Sequence, residues 1–332
     1  MTPHRDTDMY FQQSPSTLAL LAVLSIAFGN STASFAQEGD ARLKQRITAL
    51  ESENLALRKI IGEIQTVLKT IPEQTKIEQK HPSGLRIVVL PGEWDGSSLV
   101  DMRKVCESAG GSIMAQIGDD SFAPIIVQKD KSGPITLFRR GEGNEHIVRL
   151  NTGGRAWAQL AFQFAHEFCH IACNYRDVKN QQLWFEETLC ECASLFALRS
   201  MATEWQTNPP YSNWKGYSTS LASYAEDRLK MHEEQNESLA HFYQANLAEL
   251  EKNGTNRLLN GYMSVKLLPL FEANPGSWQT LRYINLGPAE ENTSFSGYLS
   301  AWHDRVPEKH RSFIELLAAE FKVDLSTETP IR

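Results

Sequence analysis

The residues most able to do chemistry are His166-Glu167-Phe168-Cys169-His170, inside a long run of helical apolar periodicity. On a helix, residues four apart lie one above the other, so the two imidazoles share a face. Two neutral imidazoles at that separation can hold one face of a tetrahedral Zn²⁺. Glu167 sits about 100° round the helix, beside such a metal rather than on it, where a general base for an activated water belongs. A site of this kind needs a third protein ligand and one open position. The next helical segment begins Trp184-Phe185-Glu186-Glu187-Thr188-Leu189-Cys190-Glu191. If the two segments form an antiparallel hairpin, Glu187 comes level with His170 and can ligate. Glu191 comes level with His166 and can accept its free ring N–H, as supporting carboxylates do. Glu187 is preferred over Glu186 as the ligand because it shares a helix face with Glu191.

This pairing of an HExxH helix with Trp-Phe-Glu-Glu187 and a further carboxylate at Glu191 resembles the gluzincin metallopeptidases, in particular peptidase MA-like members. The resemblance implies a zincin-like body with Zn²⁺ held by His166, His170 and Glu187, and Glu167 as catalytic base. It also implies that His146-Ile147-Val148-Arg149-Leu150-Asn151 is the edge strand over which an extended peptide lies. The spacing from His170 to Glu187 is shorter than in the aminopeptidase branch. No Gly-x-Met-Glu-Asn element occurs either, so an endopeptidase is expected rather than an aminopeptidase. Relatives stabilise the oxyanion with a downstream Tyr or His. Leu258 stands where that Tyr would be, leaving Tyr262 as the candidate, with Tyr217, Tyr224 and His303 as others.

The elements that must position these residues are legible in outline. Apolar residues step by four and three through Leu43, Ile47, Leu50, Asn54, Leu57, Ile61, Ile64, Leu68 and Ile71, a heptad seam over 43–71. Asn54 at an a position can fix register, and Arg46 with Glu51 and Glu53 with Arg58 suit the flanking g and e positions. A coiled-coil helix over 37–72 is expected, giving a homodimer first and a trimer second; the alternative is one amphipathic helix packed on the body. Pro72 ends it, and 73–83 reads as a linker. Short strands are expected at 85–90, 124–128, 135–140 and 146–151, with a helix capped by Asp95 and stopped by Gly110-Gly111. Residues 84–154 thus form a small mixed sheet layer. Residues 155–325 form a mainly helical part carrying the zinc site, with helices at 156–175, 184–203, 217–232, 239–252, 257–271, 278–285 and 308–321. The expected class is α+β.

Composition bounds the rest. The 332 residues are 41% hydrophobic and 22% charged, an ordinary globular balance. A net charge of −7 and no basic run argue against a nucleic-acid surface. Residues 18–29 are near-apolar but too short to span a bilayer. With Ser34 and Ala36 at the −3 and −1 positions they read as a signal peptide over 1–36, leaving Gln37 first and the mature protein periplasmic or extracellular. Arg5 outweighed by Asp6 and Asp8 suits that reading poorly, and a start at Met9 removes the conflict; an uncleaved anchor is the alternative. Of five cysteines, Cys169, Cys173, Cys190 and Cys192 cluster and Cys106 stands apart. Cys169 with Cys190 could staple the hairpin, closing a loop worth roughly 3 kcal/mol. Cys173 could pair with Cys192 instead, or all could be buried thiols. The competing functional reading is a non-catalytic protein working through its coiled coil, with a structural or vestigial zinc site.

Overall fold

The computed structural model describes residues 40–70, 84–118, 122–232, 237–287 and 293–325. The expected signal peptide and linker, and Ile71 of the heptad seam, lie outside them. The chain divides into an N-terminal unit, described as one helix, α1 (Asp40–Thr70), and a body beyond residue 73. Along α1 the seam residues Ile47, Leu57 and Ile61 are 42%, 50% and 36% exposed among the described residues. Among the described residues no helix is long and apolar enough to cross a membrane.

The body is α+β. Its sheet comprises β1 (Ile87–Val89), β2 (Ile125–Lys129), β3 (Ile135–Leu137) and β4 (His146–Leu150), in the order β1-β2-β4-β3. β1 and β2 run parallel, as do β2 and β4, while β3 pairs antiparallel with β4, Thr136 opposite Val148. The strand at 146–151 is therefore not the edge. β4 is paired on both sides, and β1 and β3 are the edge strands among the described residues. The β3–β4 turn lets the chain fold back: the Gly141 N–H donates to the Glu145 carbonyl at 3.0 Å and the Gly143 N–H to the Glu145 carboxylate at 2.9 Å. Val148 and Leu150 are buried on the face that helices cover.

α2 (Leu99–Ile117) links β1 to β2. Ser98, not Asp95, caps it, accepting from the Asp101 N–H, and it runs straight through Gly110-Gly111 to end at Gly118, whose φ is +71°. Gly110 does not break this helix because it serves packing. A Cβ there would stand 2.6 Å from Leu85 Cδ1 and 3.2 Å from the Phe164 ring, so glycine lets Leu85, just before β1, and the next helix approach.

The helical part consists of α3 (Trp157–Ala172), α4 (Leu183–Glu204), α5 (Ser218–Lys230), α6 (Leu239–Lys252), α7 (Arg257–Ala273), α8 (Phe295–Arg305) and α9 (Arg311–Phe321). 3₁₀ segments occupy Ser212–Tyr217, Pro275–Tyr283 and Glu308–His310. α8 was not expected from the periodicity. Its start, Ser294 capping the Gly297 N–H, looks like loop sequence. α3 and α4 are the central pair, buried on almost every side. The first turn of α4 is fixed by aromatic packing: Trp184 meets Tyr243, Phe295 and Phe321, and Phe185 meets Phe295, Tyr298 and Trp302. Fully buried Gln182 finishes the anchor, accepting from the Trp184 indole N–H at 2.9 Å and donating to the Thr293 carbonyl at 2.9 Å.

Candidate metal centre

α3 and α4 meet with opposite chain direction, since contacts that climb one helix descend the other. His166 Nε2 lies 3.2 Å from Glu187 Oε2, and His170 Nε2 lies 3.6 Å from Glu187 Oε1. The other ring nitrogens are also engaged. His166 Nδ1 is 3.6 Å from Glu191 Oε2, and His170 Nδ1 is 2.7 Å from Glu186 Oε1. The two imidazoles thus turn their Nε2 atoms toward one carboxylate and rest their Nδ1 atoms on two others. The Glu186 contact is absent from the sequence reading. Glu186 is itself held from behind, because the Asn285 amide donates to its second oxygen at 2.6 Å and the Tyr298 hydroxyl donates to Asn285 at 3.1 Å. Only α8 and the segment before it supply these last two groups, so no local pattern announces them.

Glu167 is buried, and its carboxylate accepts from the Thr136 hydroxyl at 2.8 Å. Thr136 lies on β3, so the edge strand and the candidate base are joined directly. Tyr175 braces the same strand from beyond α3, donating its hydroxyl to the Leu137 carbonyl and stacking on Phe138. All of these groups except Leu137 line one cavity of about 1440 Å³. That exceeds the roughly 300–1,000 Å³ typical of small-molecule pockets.

Two ligand atoms each about 2.0–2.1 Å from a tetrahedral Zn²⁺ stand about 3.3 Å apart. The Nε2–Glu187 separations of 3.2 and 3.6 Å are near that edge, each to a different oxygen of the one carboxylate. Cys190 also approaches: ligand atoms of His166, His170 and Cys190 lie within 4.8 Å of one another. Without metal, burial pushes the Cys190 thiol well above its usual range. Without metal, burial disfavours the charged form of His166. The hydrogen bonds to Glu187 and Glu191, with the charge of Glu167, overcome this and hold it well above the ordinary imidazole value. His170 is pushed up to about 9, burial again being outweighed by Glu186 and Glu187. Glu187 is driven down, the bond from His166 and the charge of His170 prevailing over burial.

The oxyanion candidates separate clearly. Tyr262 is fully buried and donates its hydroxyl to the Glu237 carbonyl at 2.7 Å, packed on Phe242 and turned away from the cavity. It does not line the cavity. Its helix position carries a ring that the apolar core claims. Tyr217 bonds Arg155 and Trp157, and His303 bonds Glu315; neither lines the cavity. Tyr224 does line it, as does His232, which had no expected role and whose Nδ1 has no partner among the described residues. All five cysteines are buried free thiols, with the Cys169 and Cys173 sulfurs 4.0 Å apart. Comparison with protein-family models, curated proteins and solved structures gave no significant match, so the functional reading rests on the arrangement of these side chains.

Proposed function

We propose that the protein is a zinc-dependent peptidase-like hydrolase with a zincin-like body. The observation that carries this is the convergence of both histidine Nε2 atoms on Glu187, while Glu191 and Glu186 support the Nδ1 atoms. His166, His170 and Glu187 would hold Zn²⁺, which when bound supplies Lewis acidity to a water and a carbonyl. Glu167 accepts the proton of a water as its oxygen bonds to the peptide carbonyl carbon. It then delivers that proton to the departing amine nitrogen as the C–N bond breaks. Thr136 holds the Glu167 carboxylate in place, and the outer edge of β3 offers its backbone to an extended peptide. Glu186, Glu191 and Asn285 keep the imidazoles oriented. The proposal includes export directed by residues 1–36.

The proximity of Cys190 favours one second reading, a closed four-ligand structural site with no reactive position. Metal content and peptide hydrolysis of the full chain distinguish the two. Wild type is expected to bind about one zinc and Glu187→Ala far less. Glu167→Gln should keep its zinc and lose hydrolysis by about 10²-fold or more, and Cys190→Ser should keep both. Zinc lost in Cys190→Ser establishes the structural site, and hydrolysis unchanged in Glu167→Gln removes the mechanism.

A further inference from the structure

The carboxylates around the histidine pair are all engaged. Glu167 is met by Thr136, Glu186 by His170 and Asn285, Glu187 by both imidazoles and Glu191 by His166. The arginines of the same cavity differ. Arg305 is tied to the carbonyls of Tyr283 and Ile284, and Arg176 to that of Gly287. Arg228, on α5, is held by aromatic rings instead. Its guanidinium carbon lies 4.8 Å from the centre of the Phe162 ring and 5.2 Å from that of Tyr224, and one N–H donates to the Tyr224 hydroxyl at 2.9 Å. The two rings meet edge to face, so the guanidinium is clamped in one orientation. No carboxylate among the described residues lies within ion-pair distance of it, and its remaining N–H groups have no acceptor there. An arginine cannot shed its proton, so this charge and these donors are left for a ligand or solvent. Phe162 precedes His166 by one helical turn, about 6 Å, on the same face of α3, and both line the cavity with Arg228 and His170. Arg257, exposed at the first residue of α7, lines the same cavity.

We propose that Arg228 recognises a carboxylate of the substrate, placed beside the bond to be cleaved. This rests on reading the cavity as a peptidase site and names the class of peptide it takes. The planar fork with free N–H groups fits a carboxylate through two parallel hydrogen bonds, which neither a neutral side chain nor a backbone carbonyl supplies. The carboxylate belongs either to an Asp or Glu side chain or to the C-terminus of the peptide.

The test is calorimetric titration of the full chain, metal-free and zinc-loaded, with acetylated alanine tetrapeptides. These carry glutamate or glutamine at the third position, and an amide or a free acid at the end. A carboxylate peptide should bind roughly 10- to 100-fold more tightly than its neutral counterpart in both forms of the protein. Which carboxylate confers the gain identifies its source. Arg228→Gln should abolish the gain at an unchanged unfolding midpoint, and Arg228→Lys should recover only part of it. Equal binding of all peptides, no binding of any, a gain that appears only with zinc, or a gain that survives Arg228→Gln overturns the proposal. A carboxylate preference in a protein that takes up no zinc rejects the peptidase reading and leaves this one standing. Hydrolysis without the preference does the reverse.

Discussion

The imidazole of His170 is held by two adjacent residues of one helix, Glu186 at Nδ1 and Glu187 at Nε2. Consecutive helical residues point about 100° apart, so both reach the ring only because it stands edge-on between them. The roles they can play are unequal. Glu187 faces both histidines at metal-bridging separations, whereas Glu186 sees only His170 and is turned away by Asn285. Glu186→Gln should therefore weaken zinc binding by roughly 10–100-fold, the usual cost of losing a supporting carboxylate, without abolishing it. Competition against a chromophoric chelator measures this directly. A loss as complete as that of Glu187→Ala would mean that Glu186 itself ligates. That His166, His170, Glu187 and Glu191 converge was readable from HExxH and Glu187–Glu191, because four-residue spacing on a helix is a local property. Glu186 was not, because which ring nitrogen meets which carboxylate depends on how α3 and α4 rotate against each other. That Tyr262 lies off the cavity was hidden for a related reason, since the sequence does not say which side of α7 faces the core.

At the scale of elements, the sheet shows where local pattern stops. Four strands were visible from their apolar runs, yet their lateral order is a long-range property, and β4 lies inside the sheet between β2 and β3. Gly110-Gly111 likewise looked like a stop, when the close approach of Leu85 and Phe164 makes glycine necessary inside a helix. The inward position of β4 has a measurable consequence at His146, its first residue. His146 is buried near Tyr175, and its Nδ1 has no partner among the described residues. Burial, with the charge of Arg140, drives its pKa down to about 3 from an ordinary 6.5. Between those values the unfolded chain binds the proton and the folded chain does not. The contribution of neutral His146 is thus complete above pH ~6.5 and is lost as the pH falls toward 3. His146→Gln, which cannot titrate, should show a shallower fall in stability from pH 7 to pH 4. Urea unfolding of both proteins across that range tests this, and parallel curves would show that His146 titrates normally in the fold.

For the whole molecule, the open question is what covers the seam of α1. Its helix was legible from a strict alternation of fours and threes, a signal that needs no tertiary context. The seam residues Ile47, Leu57 and Ile61 nevertheless remain substantially exposed. An apolar stripe of this kind on a 31-residue helix is long enough for about four heptads, which suits association with a second copy. Asn54, exposed at an a position, costs stability in such a pair but sets the register, because two asparagines can bond each other only when aligned. We therefore expect the full chain to sediment as a dimer at micromolar concentration. Leu57→Asp with Ile61→Asp would bury like charges against each other in that dimer, and should halve the sedimenting mass. Because both substitutions lie outside the body, its zinc content and thermal midpoint should stay as in wild type. A monomeric wild type rejects association through the seam. A double variant that becomes monomeric and also loses zinc would mean that the metal centre depends on the assembled form.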